Sequence, residues 1–287
     1  MLLSVVVAVR PVAPAWLPPA LGRATHAIFL DWVRAVAPAE AAALHTTEPL
    51  KPFTTGLLEE GVRADVAGTP WRSDRLYHLR FTSFSPELSA LLRERVLPAP
   101  PERVRVEQGE GVVEAVYTAA TEHPWAGETS YDDLVREHLL AVRPAPRRLV
   151  LGFDAPTTFR VAGRHVPLPL PELVYGSLLE RWNAWAPVRL EESVRARAAR
   201  ALAVAYHRLQ SRHVRFADSQ QVGFMGQCAY AVVENDSDLL RQLGVLTAFA
   251  FWSGVGHRTT MGLGRLRPLP ARLAPARQLP SAHASYR

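Results

Sequence analysis

Residues 143–153 read RPAPRRLVLGF, and this stretch divides the chain into two halves. Two prolines in four residues cannot continue a helix or a central strand, so residues 143–146 predict a linker. The apolar run that follows, Arg148–Phe153, predicts a buried strand that begins a second unit. We therefore predict domains over residues 1–143 and 147–270, followed by a Pro-, Ala- and Arg-rich tail over residues 271–287.

The N-terminal half alternates strands with helices. Apolar periodicity predicts one long helix and four extended segments, namely a helix at Pro19–Val36 and strands or hairpins at Ser4–Val9, Lys51–Leu58, Leu76–Phe84 and Val104–Tyr117. The last of these is predicted to be a hairpin that breaks near the GEG of residues 109–111. Ser85 and Ser130 are each predicted to cap a further helix, and proline and acidic residues follow them in the first turns.

The C-terminal half repeats this order of elements without repeating the sequence. The predicted elements are a strand at Arg148–Phe153, a helix at Pro171–Ala186, strands at about 203–216 and 221–234, a helix from Asp236 to Trp252 and a strand at Leu263–Pro268. Each half therefore approximates strand–helix–strand–strand–helix–strand, which is the split βαβ arrangement. The sequence predicts an α+β protein with two such domains in tandem.

Composition narrows the class of protein. With 287 residues, 48% hydrophobic and 21% charged, the chain has the composition of a folded globular protein of two domains. Its single cysteine, Cys228, excludes an internal disulfide and a thiolate zinc cluster, and a reducing cytoplasm is the expected compartment. The opening MLLSVVVAVR is too short to cross a bilayer and has no basic start, so it predicts a buried strand and not a signal peptide.

The chain carries a net positive charge. The net charge of +6 and pI near 10 indicate an acidic partner, of which nucleic acid is the commonest. The alternative is an Arg- and Ala-rich proteome in which the basic face is only solvated. No histidine spacing is typical of a zinc site, and no carboxylate cluster indicates a two-metal nuclease, so we expect no metal.

One short stretch, LHTTEPLKPFTTG at residues 44–56, contains the only lysine of the chain among 33 Lys+Arg. Arginine and lysine are not interchangeable, because a guanidinium is a planar fork and an ammonium is a compact point charge. Lys51 follows His45 by six residues. The pair therefore marks a place where that difference matters, unless the lone lysine is chance.

A glycine-rich stretch, SGVGHRTTMGLGRLRPL at residues 253–269, follows a predicted helix and precedes a predicted strand. That order is wrong for a dinucleotide-binding fingerprint, and the stretch lacks the Gly-Lys-Ser/Thr of a P-loop. Glycines allow a backbone to approach a phosphate closely, and basic residues are interleaved with them here. The stretch therefore suits a phosphate backbone; the alternative is an ordinary turn from helix to strand.

Four blocks, in order, resemble the CRISPR repeat-processing endoribonucleases of the repeat-associated mysterious protein superfamily. GVGHRTTMGLGRL resembles their C-terminal glycine-rich signature. LGFDAPTTFRVAGRHVPLPLPELVYGSLLERWNAW, residues 151–185, resembles their Pro-Thr-Ser/Thr-Phe-Arg turn, proline-rich loop and Ser-Leu-Leu-x-Arg-Trp-Asn helix. VGFMGQCAYAV, residues 222–232, resembles a Gly-Phe-x-Gly strand, and the LHTTEPLKPFTTG stretch resembles a block with histidine before Lys-Pro-Phe-Thr.

The resemblance implies two tandem ferredoxin-like domains and cleavage of precursor CRISPR RNA within each repeat, without a metal or other cofactor. The products would carry a 5′-hydroxyl and a 2′,3′-cyclic phosphate. The alternative function is that of a non-catalytic subunit that holds a guide RNA. Besides repeat RNA, the resemblance admits two further partners, a CRISPR effector complex and a second copy of the chain in a homodimer.

The resemblance also implies site residues. His45 matches the catalytic histidine, a general acid or base, in the loop after the first helix, and Lys51 matches a lysine that stabilises the charge on the phosphate. His26 lies on the first helix, where some members carry a tyrosine or a second histidine, and it is our candidate for the complementary proton-transfer group; the alternative is a surface or capping histidine. The predicted RNA-binding residues, which would act through phosphates and RNA shape and not through broad base stacking, are Arg147, Arg148, Arg160, Gly256, His257, Arg258, Thr259 and Arg265.

Overall fold

The structure, a computed structural model, describes residues 1–46, 50–58, 68–142, 145–216, 219–234 and 236–271. In the first half the elements are β1 (Leu2–Pro11), β2 (Ala15–Leu17), α1 (Gly22–Val36), α2 (Pro38–Thr46), β3 (Phe53–Leu58), β4 (Thr69–Trp71), β5 (Tyr77–Ser83), α3 (Pro86–Leu91), β6 (Arg103–Val106), β7 (Gly109–Tyr117), β8 (Gly127–Thr129) and α4 (Tyr131–Leu134). Wider π-helical turns, Leu92–Val96 and Val135–Leu139, continue α3 and α4.

The second half begins with a ten-residue strand. Its elements are β9 (Arg148–Thr157), β10 (Phe159–Val161), β11 (Arg164–Val166), α5 (Pro171–Trp185), α6 (Val194–Ala201), β12 (Leu202–Arg215), β13 (Gln220–Val232), α7 (Ser237–Ser253) and β14 (Leu266–Leu269). A 3₁₀ turn, Thr259–Met261, lies between α7 and β14. Among the described residues, no helix combines the length and apolar character needed to cross a bilayer.

The two main sheets share one topology. The first runs β3-β5-β1-β7-β6 and the second β12-β13-β9-β14, and neighbouring strands in both are antiparallel. The four strands of the strand–helix–strand–strand–helix–strand unit are β1, β3, β5 and β7 in the first half and β9, β12, β13 and β14 in the second. In both sheets their spatial order is second, third, first, fourth. This confirms the predicted α+β class with two tandem ferredoxin-like folds.

Alternation along β5 places the core of the first half. Tyr77, Leu79 and Phe81 are buried on one face, in the same cluster as the apolar sides of α1 and α3. Strand β1 is apolar except for Ser4 and Arg10, which suits a strand whose two faces are both covered. Its Val7 lies in that core, whereas Val6 lies in a cluster with Trp125 on the opposite face, toward the second half.

The predicted helix starts are confirmed by their caps. The Ser85 hydroxyl accepts a hydrogen bond from the backbone N–H of Leu88 at 3.2 Å. Ser130 caps α4 in the same way, and a carboxylate oxygen of Asp236 accepts from the N–H of Leu239 at 3.0 Å to begin α7. Each cap satisfies a backbone donor that has no partner inside its helix.

Three predictions differ from the structure or lie outside it. The first hairpin turns at residues 107–108 and not at GEG, because Gly109 and Gly111 are strand residues that make room for neighbours; a Cβ on Gly111 would lie 2.3 Å from a methyl group of Val9. Helix α6 lies in a segment predicted only as basic. Part of the predicted linker, residues 143–144, and residues 272–287 of the tail lie outside the described residues, and the domain boundaries stay predictions.

Two arginines join the halves. Arg80 on β5 is buried, donates to the carbonyl of Phe251 at 2.8 Å, and lies 4.8 Å and 4.4 Å from the ring centroids of Trp125 and Phe251. Burial lowers the pKa of Arg80 well below its ordinary value. Arg265 donates to the carbonyl of Leu57 at 2.9 Å and to that of Asp154 at 2.9 Å, one in each half. These contacts hold the stretch before β14 against the first domain.

Candidate active site

The lone lysine closes the helix that carries His45. His45 does not lie in a loop, as predicted, but is exposed in the last turn of a second helix, α2, where backbone carbonyls have no partner within the helix. The Lys51 ammonium donates to the carbonyl of Leu44 at 2.6 Å and to that of His45 at 2.8 Å. A compact ammonium with three donors can serve two adjacent carbonyls and also complements the negative end of the helix dipole. Lys51 therefore determines where α2 ends and, with it, where His45 lies.

His26 lies on α1, half-buried, and contacts the second domain. Its Nδ1 is 3.0 Å from the carbonyl oxygen of Thr260, and the Thr55 hydroxyl donates to the same oxygen at 2.8 Å. Because a carbonyl only accepts, this contact assigns the proton to Nδ1 and leaves Nε2 with its lone pair in the neutral ring. The carbonyl thus selects one tautomer of His26.

Burial and nearby positive charge both disfavour protonation of His26. Burial is the largest cause that lowers this pKa, and the positive charges of Lys51 and His45 lower it further, against the raising effect of the Thr260 carbonyl. His26 is therefore neutral at neutral pH. His26 on α1, His45 on α2 and Lys51, two residues before β3, stay predicted catalytic residues.

The glycine-rich stretch lies against the first domain beside His26. Gly256 and Gly264 have φ of +82° and +70°, in the left-handed region that side chains disfavour. A Cβ on Gly22, at the start of α1, would lie 1.9 Å from the carbonyl oxygen of Met261. Only glycine permits this approach, which places the stretch against the helix that carries His26.

A serine and an arginine one turn apart on α5 fix the other end of the glycine-rich stretch. The Ser177 hydroxyl accepts from the N–H of Gly256 at 2.9 Å, and the buried Arg181 donates to the carbonyl of Gly256 at 2.7 Å and also to Ser177. Burial lowers the pKa of Arg181 to about 10. Sequence reasoning did not assign these residues a role, although both lie in the SLLERWN motif.

A groove of about 1090 Å³ extends from Lys51 across the glycine-rich stretch to α5 and α6. Basic side chains outnumber acidic ones on its walls; the basic residues are Lys51, Arg160, Arg181, Arg189, Arg195 and Arg258, and the acidic ones are Glu180 and Glu192. Such a concave basic surface attracts a polyanion. Within the described residues, no group of three or more histidine, cysteine or acidic side chains is placed to hold a metal ion.

Five of the eight predicted RNA-binding residues line this groove. They are Arg160, Gly256, His257, Arg258 and Thr259. Burial, followed by the charge of Arg258, lowers the pKa of His257 to about 4, so this ring is neutral at physiological pH. The Arg258 guanidinium lies 4.3 Å from the ring centroid of Phe216, in the β12–β13 hairpin. Whether any of these side chains contacts RNA stays a prediction.

The other three do not line the groove. Arg147 and Arg148 lie at the start of β9, whereas the glycine-rich stretch meets Thr158, just beyond its end. At about 3.3 Å per residue, a strand of this length separates its two ends by roughly 30 Å. Arg265 lies at the junction of the two domains, where its guanidinium holds backbone carbonyls of both. Their predicted role in RNA binding stays untested, and their positions differ from the one expected.

Comparisons with known proteins agree with this fold. The family model described as CRISPR-associated endoribonuclease Cas6 matches residues 151–266. A curated Cas6 endoribonuclease from Mycobacterium tuberculosis is 28% identical over 134 residues, which cover 46% of this chain and 42% of that protein. The chain therefore spans less than half the length of this curated relative.

Solved structures match over a longer stretch. The product complex of Thermus thermophilus Cas6 (TTHB231) superposes with a TM-score of 0.78 at 29% identity and covers 94% of this chain and 100% of that one. A Cas6-related protein from Pyrococcus furiosus, at 13% identity and a TM-score of 0.60, shares the fold. The fold and site define a tandem ferredoxin-like protein with a basic groove. In sequence, residues 151–266 resemble the Cas6 family of CRISPR-associated endoribonucleases, and the fold resembles Cas6 over most of the chain.

Proposed function

We propose that this protein cleaves precursor CRISPR RNA within its repeats. The observation that carries the proposal is that both candidate histidines contact the groove wall: His45 through its carbonyl to Lys51, and His26 through the carbonyl of Thr260. Two imidazoles and one fixed cation are the groups that this reaction needs. The similarity to Cas6 endoribonucleases supports the same activity.

The proposed reaction is an internal transesterification. The ribose 2′-oxygen attacks the adjacent phosphorus while a general base removes its proton. The bond from phosphorus to the 5′-oxygen breaks, and a general acid protonates that oxygen. The products are a 2′,3′-cyclic phosphate and a 5′-hydroxyl, and protein side chains supply every proton transfer.

The geometry favours one division of roles. His26 is neutral at neutral pH and keeps the lone pair on Nε2, so we assign it to the general base. His45 is exposed at the end of α2, and we assign it to the general acid that protonates the leaving oxygen. Lys51 positions His45 through its helix-closing contacts, and its charge stabilises the phosphorane.

The groove supplies the RNA-binding surface in this proposal. Arg160 and Arg258 lie on its walls, where they would pair with backbone phosphates, and the backbone of Gly256 approaches the strand closely. Binding through phosphates positions the RNA without reading bases, so repeat sequence and shape must be recognised by further contacts. The compartment we expect for this activity is the cytoplasm.

Binding and cleavage of one repeat RNA, measured side by side in excess chelator, test the proposal. We expect cleavage at a single position with no added metal. Binding without cleavage would overturn the enzyme and support the alternative subunit that holds a guide RNA. Cleavage only after a divalent cation is restored would overturn metal independence.

A further inference from the structure

Arg195 on α6 lines the groove, and its guanidinium forms no polar contact with the part of the chain that the structure describes. Its side chain is exposed. Nearby arginines differ in this respect. Arg189 pairs with Glu192 at 3.2 Å, and Arg197 pairs with Glu191 at 2.9 Å. The charge of Arg195 is therefore available to a ligand in the groove.

The stem of this arginine lies across a glycine. Gly176 is in the middle of α5, where glycine is less favourable than alanine. A Cβ on Gly176 would lie 2.9 Å from Cδ of Arg195, and 3.0 Å from both its Cγ and its Nε. A side chain at Gly176 would therefore require the flexible Arg195 stem to move. The glycine leaves room for this stem against α5, on the wall of the groove.

The glycine-rich stretch connects the contact between Gly176 and Arg195 to the candidate active site. Ser177, the next residue on α5, holds the N–H of Gly256, and four residues further on the carbonyl of Thr260 holds His26. Four residues of chain span at most about 14 Å. A strand of RNA that follows the glycine-rich stretch away from His26 would therefore reach Arg195 within a few nucleotides.

We propose that Arg195 binds a backbone phosphate of the RNA strand, on the side of the glycine-rich stretch away from the cleavage position, and that Gly176 is the residue that positions it. The inference rests on the proposed function for the identity of the ligand. The chemistry is that of a phosphate diester, since an unpaired guanidinium in a basic groove suits an anionic oxygen.

Arg195→Ala and the matched variant Arg200→Ala test the contact. Both remove one exposed arginine from α6, but Arg200 does not line the groove. The probe is an RNA of one CRISPR repeat with a 2′-deoxy nucleotide at the cleavage position, and its affinity is measured across a salt series. We expect Arg195→Ala to weaken binding about 5- to 20-fold and to reduce the salt slope by about 1, and Arg200→Ala to match wild type. Equal affinities of the two variants would overturn the inference.

Gly176→Ala separates positioning from charge, because it removes no charge. The added methyl group would displace the flexible Arg195 stem while α5 gains helix propensity, so we expect an unchanged or higher Tm with weaker RNA binding. The double variant should bind no worse than Arg195→Ala alone. Wild-type affinity of Gly176→Ala would overturn the positioning role. Failure of the wild-type protein to bind repeat RNA would overturn both the function and this inference, whereas binding without cleavage overturns only the enzyme.

Discussion

Replacing Lys51 with arginine keeps a positive charge before β3 but changes the shape of the group that carries it. The lysine ammonium reaches the carbonyls of Leu44 and His45 at 2.6 Å and 2.8 Å. A guanidinium is larger and planar, and its donors diverge in a fixed fork. Lys51→Arg therefore retains the charge while removing at least one of the contacts that close α2.

The magnitude follows from those two contacts. A hydrogen bond from a charged donor contributes about 1.5–3 kcal/mol, and partial exposure of Lys51 places each bond at the lower end. We estimate that about 2–3 kcal/mol of positioning free energy is lost. If this loss appears as misplacement of His45 in the transition state, cleavage slows by about 30- to 160-fold.

Single-turnover cleavage at saturating repeat RNA measures this loss, with Lys51→Met as the variant of similar length that lacks the charge. If Lys51 acts through position, Lys51→Arg should lose most of what Lys51→Met loses. If it acts through charge alone, Lys51→Arg should resemble wild type. A Lys51→Arg rate within twofold of wild type would refute the positioning role.

The remaining predictions concern the histidines and the domain contact. His45→Ala should slow cleavage by about 10²–10⁴ with RNA affinity nearly intact, and an unchanged rate would remove His45 from the site. Because the pKa of His26 is lowered, the acidic limb of the rate profile should lie below histidine's ordinary pKa of about 6.5, and a limb above that value would contradict the base assignment. The pKa of His257 is about 4 in the folded protein, so the unfolded chain protonates this histidine more readily. The free energy of unfolding should therefore fall by about 1–2 kcal/mol between pH 6.5 and 4, after allowance for solvent screening. A pH series of denaturant melts should show that His257→Gln removes this fall. Gly22→Ala should separate Met261 from α1 and slow cleavage more than it weakens binding, and an equal effect on both measurements would contradict the proposed contact.

The split βαβ order could be predicted because its signals are local. Alternation in β5 and the caps at Ser85, Ser130 and Asp236 depend on residues near one another in sequence. Helix α6 was missed because its Arg-Ala sequence, VRARAARA, has little apolar stripe. The turn was wrongly predicted at GEG because glycine is typical both of turns and of positions where neighbouring side chains pack closely. In β7 the glycines make room for side chains of neighbouring strands.

The site could be predicted only in part. The LHTTEPLKPFTTG stretch marked His45 and Lys51, but the helix-closing contacts of the lysine depend on where α2 ends. The contact of His26 with Thr260 joins residues 234 positions apart, so no local pattern reveals it. Arg258 and Arg265 lie in the same stretch and carry the same charge, so the sequence does not distinguish their roles. Only the structure shows that Arg265 donates to the carbonyl of Leu57 in the first domain and does not line the groove.

The central claim is that the ribose 2′-hydroxyl is the nucleophile and that protein side chains move its proton. Its most direct test compares two repeat RNAs in excess chelator that differ by one 2′-deoxy substitution before the cleavage position. The account predicts that the unmodified RNA is cut to a 2′,3′-cyclic phosphate and a 5′-hydroxyl, while the substituted RNA is bound with similar affinity and stays whole. Cleavage of the substituted RNA at the same position would contradict it.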